Sequence, residues 1–289
     1  AYGHVQPQAL EVEKAVLGEI PDAEDLVYDM GKAIAGELKG AGIHINFAPV
    51  VDVNSNPEVQ ILGERSFGSD VDLVTRYAEA YMKGMQEGGI FTCAKHFPGH
   101  GEAAVDSHLG LPVLNLSRQR LDSLELVPYE RLIPEGVDMV MIGHLAVPCL
   151  DPSGVPASIS KPIITGLLKE DMGFDGVIIT DALQMKGITS DRDSVQIVLE
   201  AFKAGADILL MPENAQASLD LIASEVESGN IPEKEVDEKV LKILRMKEKA
   251  GLLGKGRPYI TRHLETSVSD AVKTDESVLK AIEAKKSGL

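Results

Sequence analysis

Short apolar runs alternate along the chain with longer segments in which apolar residues recur at helical spacing. The short runs are apolar on both faces, as strands are in a parallel sheet that is covered on both sides. They predict strands at 45–51, 91–94, 139–142, 176–180 and 207–211. The longer segments predict helices at 24–39, 70–87, 121–133, 161–170, 194–203 and 215–228. The chain is therefore predicted to be an α/β protein built from repeated βα units.

Polar side chains follow several predicted strands at their carboxyl ends. They are Asp52, Lys95 with His96, His144 and Asp181. A barrel gathers the carboxyl ends of its strands on one face, where its active site lies, whereas an open doubly wound sheet concentrates ligand contacts at one switch point. We therefore predict a (β/α)8 TIM-barrel type, in a catalytic domain that spans residues 1–255. Residues 256–289 are polar and predict a peripheral C-terminal helix or tail.

The composition narrows the class of partner. The chain of 289 residues carries a formal net charge of −17, which argues against binding to nucleic acid or to an anionic membrane surface. No apolar run reaches the ~20 residues of a membrane span. Cys93 and Cys149 lie in apolar runs and are predicted to be free thiols. We expect a cytoplasmic enzyme, with a secreted or cell-wall-associated form as the alternative.

The motif Lys-His-Phe-Pro-Gly-His-Gly at 95–101 is the strongest local signal for chemistry. Two basic side chains leave a buried strand together, and glycines then bend the backbone toward whatever they hold. The loop continues to His108, whose imidazole can exchange a proton near neutral pH, and Asp106 can orient that ring. Taken alone, the Asp-x-His pair is common, and its ordinary interpretation is a structural role in the loop.

Asp181 ends the predicted strand 176–180 and is the second signal. A carboxylate in this position can attack an anomeric carbon or hold a metal, and it can also simply cap the following segment. The chain lacks a His-Glu-x-x-His or paired-cysteine pattern. We therefore predict neither a metal nor a cofactor.

Taken in order, these motifs resemble those of the family 3 glycoside hydrolases, in particular the β-N-acetylglucosaminidases of the peptidoglycan-recycling branch. The resemblance covers roughly residues 25–255. Its motifs lie at 46–52, 65–68, 95–101, 106–108, 176–185 and 210–212.

The resemblance implies retaining hydrolysis of terminal β-linked N-acetylglucosamine from peptidoglycan fragments (muropeptides) or chito-oligosaccharides. Asp181 would form the covalent glycosyl-enzyme. His108, paired with Asp106, would protonate the leaving oxygen and then activate water. The residues implied to border the sugar are Arg65, Lys95, His96, His144 and Met211.

Family members of this type begin with about three further βα units, and the third ends in the motif Asp-Gln-Glu-Gly-Gly-Arg-Val-Gln-Arg. This chain matches the end of that motif at Gly3, Val5 and Gln6, with Pro7 in place of the last arginine. The expectation is a barrel that lacks its first three βα units. The alternatives are a barrel completed by another chain and a divergent protein with a new N-terminal closure. The alternatives for function are a broader β-glycosidase, a glycoside phosphorylase, and an inactive sugar-binding remnant.

Overall fold

The computed structural model describes residues 22–56, 65–101, 110–189 and 192–253, together with Gly18, Ile20 and Leu62. Within these ranges the strands form one parallel sheet in which each strand neighbours the next along the chain. The strands are β1 Ile45–Asn46, β2 Phe91–Phe97, β3 Met139–Ile142 and β4 Val177–Thr180.

Helices separate the strands and cover the sheet. The α-helices are α1 Glu24–Gly40, α2 Val71–Glu87, α3 Arg118–Arg120, α4 Val127–Leu132, α5 Lys186–Thr189, α6 Ser194–Ala204, α7 Ala215–Glu227 and α8 Glu233–Lys249. Two π-helical segments span Leu121–Glu125 and Pro162–Asp171, and a 3₁₀ turn spans Ala157–Ile159. In the described part of the chain, no helix is both long and apolar enough to cross a membrane.

Helix α2 shows how local sequence sets these elements. Asp70 caps its first turn, because the carboxylate accepts a hydrogen bond of 2.8 Å from the backbone N–H of Leu73. Its buried face recurs at helical spacing and includes Val74, Tyr77, Ala78, Tyr81 and Met85. This face packs α2 against α1 and the sheet.

The strand order identifies the sheet as part of a barrel. Each βα unit adds its strand beside the preceding one, and the order β1-β2-β3-β4 of the described strands contains no reversal that would mark a switch point. The predicted fold class, a (β/α)8 TIM-barrel type, is confirmed. Completion of the barrel by another chain stays a prediction, and the predicted boundary between 255 and 256 lies outside the described residues.

Two predicted strands are shorter than expected, for identifiable reasons. The first ends at Asn46, because the register then shifts by one residue before the parallel bridge from Val50 to Lys95. Pro49, within this shift, has no N–H to donate. The segment 207–211 makes one bridge, between Ile208 and Ile179. The backbone N–H of the adjacent Leu210 donates to a side chain, the hydroxyl of Thr180, at 3.1 Å.

Helix α8, which is absent from the predicted helices, lies across the amino-terminal end of the sheet. Lys239, Lys242, Met246 and Lys249 recur at helical spacing along one face of it. Met246 packs against the inner wall of the sheet. That wall consists of Cys93, Met139, Met141, Val177 and Ile179.

Two lysines of α8, Lys242 and Lys249, bind groups that directly precede strands. Lys242 Nζ donates a hydrogen bond of 2.8 Å to the carbonyl oxygen of Gly176, just before β4. Lys249 Nζ lies 3.4 Å from a carboxylate oxygen of Asp138, just before β3. Helix α8 therefore closes the end of the sheet opposite to the one at which Asp181 follows β4.

Lys239 makes this end of the protein sensitive to pH. Its ammonium donates to the carbonyl oxygens of Phe202 and Ala206 at 3.1 and 2.8 Å, and burial is the main cause that lowers its pKa to about 8. The unfolded chain keeps this proton up to an ordinary lysine pKa of about 10.4, so folding releases a proton between these values. Since the unfolded state then binds more protons, the free energy of unfolding rises with pH across that window.

We predict that Lys239→Met removes this rise. Between about pH 7 and pH 10, the stability of the wild type relative to the variant should increase by about 1–3 kcal/mol. Urea unfolding at both pH values measures the difference. The control is Lys234→Met, since Lys234 pairs with Glu238 on the exposed face of the same helix. If Lys239→Met followed the pH dependence of the wild type, the ammonium would not titrate in this window.

Candidate active site

The register of the sheet brings the predicted site residues to one end. Lys95 on β2 pairs with Met141 on β3, which pairs with Ile179 on β4. The backbone N–H of Asp181 then donates to the carbonyl oxygen of Ile142 at 2.9 Å. Side chains two residues apart on a strand share a face, so Lys95 and Asp181 extend the inner wall at its carboxyl end. The predicted convergence of the strand ends is confirmed for these residues.

Asp181 is held by a relay of hydrogen bonds. Its Oδ1 accepts from the backbone N–H of Ala182 at 2.8 Å, and the carbonyl oxygen of Ala182 lies 3.0 Å from Nε2 of His144. A carbonyl oxygen can only accept, so Nε2 carries the proton of this contact. Nδ1 lies 2.7 Å from the hydroxyl of Ser158. The turn that carries Asp181 is thus braced from the protein interior.

The His144 ring is fully buried, and burial is the main cause that lowers its pKa, against the opposing effect of the Asp181 carboxylate. The ring is therefore neutral near pH 7, with Nδ1 accepting from Ser158. Both ring nitrogens are engaged within the protein. The direct contact with sugar predicted for His144 would require one of these bonds to break.

Several charged groups of the site act on the pKa of Lys95. Burial lowers the pKa of its ammonium. The carboxylates of Asp181 and Asp52 act in the opposite direction, and the guanidinium of Arg65 adds to the lowering. The charges of Arg65 and Asp181 thus act on Lys95, and the arrangement of these three residues around one ligand stays a prediction.

The register of β2 changes where Lys95 and His96 leave the sheet. The pairing with β3 shifts between Lys95 and Phe97, so the regular alternation of faces ends there. His96 is buried, and its Nδ1 lies 2.7 Å from a carboxylate oxygen of Asp52. Its side chain is fixed by this contact at the same end of the sheet as Lys95.

Asp52 organises the start of the loop that follows β2. Its carboxylate accepts from the backbone N–H groups of His96, at 3.2 Å, and of His100, at 2.7 Å. Burial alone would raise the pKa of Asp52, but the charge and hydrogen bonds of His96 and His100 outweigh it and hold that pKa below its usual value. Asp52 is therefore an ionised acceptor, and Nδ1 of His96 is the donor in their contact.

The loop base has no room for side chains at its glycines. A Cβ atom at Gly99, where φ is 130°, would lie 2.6 Å from Cβ of Glu125. A Cβ at Gly101 would collide with the carbonyl oxygen of Val53. The loop continues into 102–109, so the predicted pair Asp106 and His108 lies outside the described residues.

Arg65 and Met211 lie at the surface near this end of the sheet. Arg65 is exposed, and its Nε donates to the carbonyl oxygen of Leu62 at 3.3 Å. Met211 is 52% exposed and has a φ of 48°, a backbone conformation that costs a non-glycine residue about 1–2 kcal/mol. The preceding carbonyl, of Leu210, accepts from the N–H of Leu183 at 2.9 Å, which ties Met211 to the segment after Asp181.

The sequence reasoning missed two residues that support the site, Ser158 and Glu125. Ser158 carries no signal of its role in its sequence context. Glu125 does carry one, because it recurs with Leu121 and Tyr129 on the buried face of a predicted helix, where a carboxylate is unusual. Among the described residues, no group of three or more His, Cys, Asp or Glu side chains is arranged to hold a metal ion.

Comparisons with known proteins agree with this geometry. The model of the glycosyl hydrolase family 3 N-terminal domain matches residues 9–246. β-Hexosaminidase A of Pseudoalteromonas piscicida is 36% identical over 242 residues, which are 76% of this chain and 40% of that relative.

Solved structures give the same result for the fold. A glycoside hydrolase family 3 β-N-acetylglucosaminidase from Paenibacillus sp. FPU-7 matches with a TM-score of 0.83 at 36% identity, over 92% of this chain and 51% of that one. The β-glucoside phosphorylase BglX, bound to 2FGlc, matches with a TM-score of 0.83 at 28% identity, over 92% of this chain and 49% of that one. The chain thus spans about half the length, or less, of these relatives. It belongs to glycosyl hydrolase family 3 and carries the N-terminal domain of that family.

Proposed function

We propose that this protein is a retaining β-N-acetylglucosaminidase that removes terminal β-linked N-acetylglucosamine from peptidoglycan fragments or chito-oligosaccharides. The observation that carries the proposal is the position of a braced carboxylate, Asp181, at the carboxyl end of a barrel sheet and on the same face as the ammonium of Lys95. A carboxylate in this position can act as the nucleophile, and an ammonium at the same end of the sheet is suited to bind a sugar hydroxyl.

In the first half-reaction, an oxygen of Asp181 forms a bond to the anomeric carbon as the bond to the leaving oxygen breaks. The hydrogen bond from the N–H of Ala182 fixes the orientation of the carboxylate during this step. His108, oriented by Asp106, gives its proton to the leaving oxygen. In the second half-reaction the same imidazole takes a proton from water, which attacks the anomeric carbon and releases Asp181.

The remaining residues divide into sugar contacts and supports. Lys95, His96 and Arg65 bind hydroxyls of the terminal sugar, and the exposed thioether of Met211 borders it. His144 acts through Asp181, since both of its ring nitrogens are used in bracing the turn after β4.

We predict that Asp181→Ala lowers the turnover of an aryl N-acetylglucosaminide by more than about 10³-fold, because no covalent intermediate can form. A fluorinated sugar that traps the intermediate should label Asp181 in the wild type, as read by mass spectrometry of peptides. The matched control is Asp52→Asn, which disturbs the support of His96 but should leave measurable turnover. Labelling at Asp52 or Asp106 would overturn the assignment.

We predict that His108→Ala lowers the rate far less on substrates with a good leaving group than on natural sugars. Leaving groups such as dinitrophenolate depart without a proton, whereas general acid catalysis contributes ~10²- to 10⁴-fold for a sugar leaving group. Initial rates on both substrate types measure the ratio. Equal losses on the two would make His108 a structural residue.

A second candidate is a glycoside phosphorylase, and the match to the structure of BglX favours its consideration. Phosphate would replace water as the acceptor in the second half-reaction on the same residues. Product analysis with and without inorganic phosphate separates the two. A phosphorylase forms a sugar 1-phosphate when phosphate is present, whereas a hydrolase forms the free sugar under both conditions. If an aryl N-acetylglucosaminide released no chromophore under either condition, the inactive sugar-binding alternative would replace both proposals.

A further inference from the structure

Arg120 connects the two chain segments that enclose the base of the Lys95–Gly101 loop. Its Nη1 lies 3.1 Å from Oε1 of Glu125 and donates a hydrogen bond of 3.2 Å to Oε2. Its Nη2 donates to the hydroxyl of Ser55 at 3.3 Å. One guanidinium thus bridges the segment after β1, which holds Ser55, and the π-helical segment that ends at Glu125.

The loop base lies between these two bridged segments. Gly99 rests on the aliphatic stem of Glu125, so closely that a Cβ atom would lie 2.6 and 2.7 Å from its Cβ and Cγ. Gly101 rests in the same way on the backbone carbonyl of Val53, two residues before Ser55. Arg120 therefore holds together the two walls that clamp the backbone from Gly99 to Gly101.

The choice of a carboxylate at this buried position requires explanation. Glu125 is 3% exposed, and its neighbours on the same helical face, Leu121 and Tyr129, are completely buried. An ion pair whose carboxylate is buried contributes little net stability, because desolvation of the carboxylate offsets the attraction, and an apolar side chain could fill the place of Glu125. The pair does supply a directional link from Glu125 to Ser55, which an apolar side chain would not.

We propose that Arg120 and Glu125 form a positioning pair for the acid/base loop. They fix the backbone from Gly99 to Gly101, and this sets the point from which the chain departs toward His108. Neither residue contacts the sugar or the reacting atoms in this proposal. The inference rests on the proposed role of His108 as acid/base. In it, the positioning pair contributes to the rate only where the reaction depends on accurate proton delivery by His108.

The test compares Glu125→Gln with Asp122→Asn. Glutamine keeps the stem under Gly99 but removes the charge that Arg120 binds. Asp122 is the matched control, because it lies in the same π-helical segment and pairs at 2.6 Å with Arg118 on the exposed surface. Arg120→Lys is a second variant that keeps the positive charge but loses the forked link to Glu125 and Ser55.

We predict that Glu125→Gln and Arg120→Lys lower kcat/KM for chitobiose by about tenfold or more, and lower it for a dinitrophenyl glycoside by less than about threefold. The rate at which a fluorinated dinitrophenyl glycoside labels Asp181 should stay close to that of the wild type. Asp122→Asn should change none of these values. Thermal unfolding of each variant establishes that it is folded.

A double-mutant cycle separates positioning from general damage to the structure. In the His108→Ala background, Glu125→Gln should cause no further loss on chitobiose, because the group that it positions is gone. Additive losses, or equal losses on both substrate types, would overturn the positioning pair while leaving the role of His108 intact. If His108→Ala itself showed no dependence on the leaving group, the proposed function would fail instead, and the two failures are therefore distinguishable.

Discussion

The candidate site depends on the hydrogen bonds that the buried carboxylate of Asp52 accepts. Only 2% of the residue is exposed, and a buried charge persists when hydrogen bonds replace its water. Three N–H groups do so, from the backbone of His96 and His100 and from the ring of His96. The same carboxylate thereby fixes the end of β2, one sugar-binding candidate, and the start of the loop. Removing any of these partners would leave the charge short of a donor, so the three features form one unit.

The two ends of the sheet use lysine in opposite ways. At the amino-terminal end, Lys242 and Lys249 on α8 are bound to groups of the protein itself, and these contacts hold α8 against the sheet. At the carboxyl end, the ammonium of Lys95 is subject to the charges of Arg65 and Asp181, which act on its pKa in opposite directions. Burial lowers the pKa of both Lys239 and Lys95, so a perturbed pKa does not by itself mark a functional residue. The two lysines differ in the groups around them: Lys239 donates to backbone carbonyl oxygens, whereas Lys95 is subject to the charges of other candidate site residues.

Sequence patterns predicted burial and strand direction well, and hydrogen bonding poorly. The strand 139–142 and the positions of Lys95 and Asp181 followed from apolar runs with polar ends, because that pattern reports directly on a sheet covered on both faces. The π-helical pairing in 161–170 and the short first strand did not follow, since these depend on which carbonyl each N–H reaches. For His144 the pattern gave its place at a strand end, but its bonds to Ser158 and Ala182 required three-dimensional neighbours. The pairing of Glu125 with Arg120 was beyond reach for the same reason.

The geometry also explains why a hydrolase and a phosphorylase can share this domain. Formation of the glycosyl-enzyme needs a fixed carboxylate and hydroxyl contacts, and the described residues around Asp181 supply groups suited to both. That half-reaction is the same whether water or phosphate follows, so similarity at this end of the barrel is expected in both kinds of enzyme. Phosphate carries negative charge, and a site that accepts it must supply nearby cations to bind it. Lys95 and Arg65 are cations at this end of the sheet, so a phosphorylase that used the proposed site would have to share them between the sugar and the phosphate.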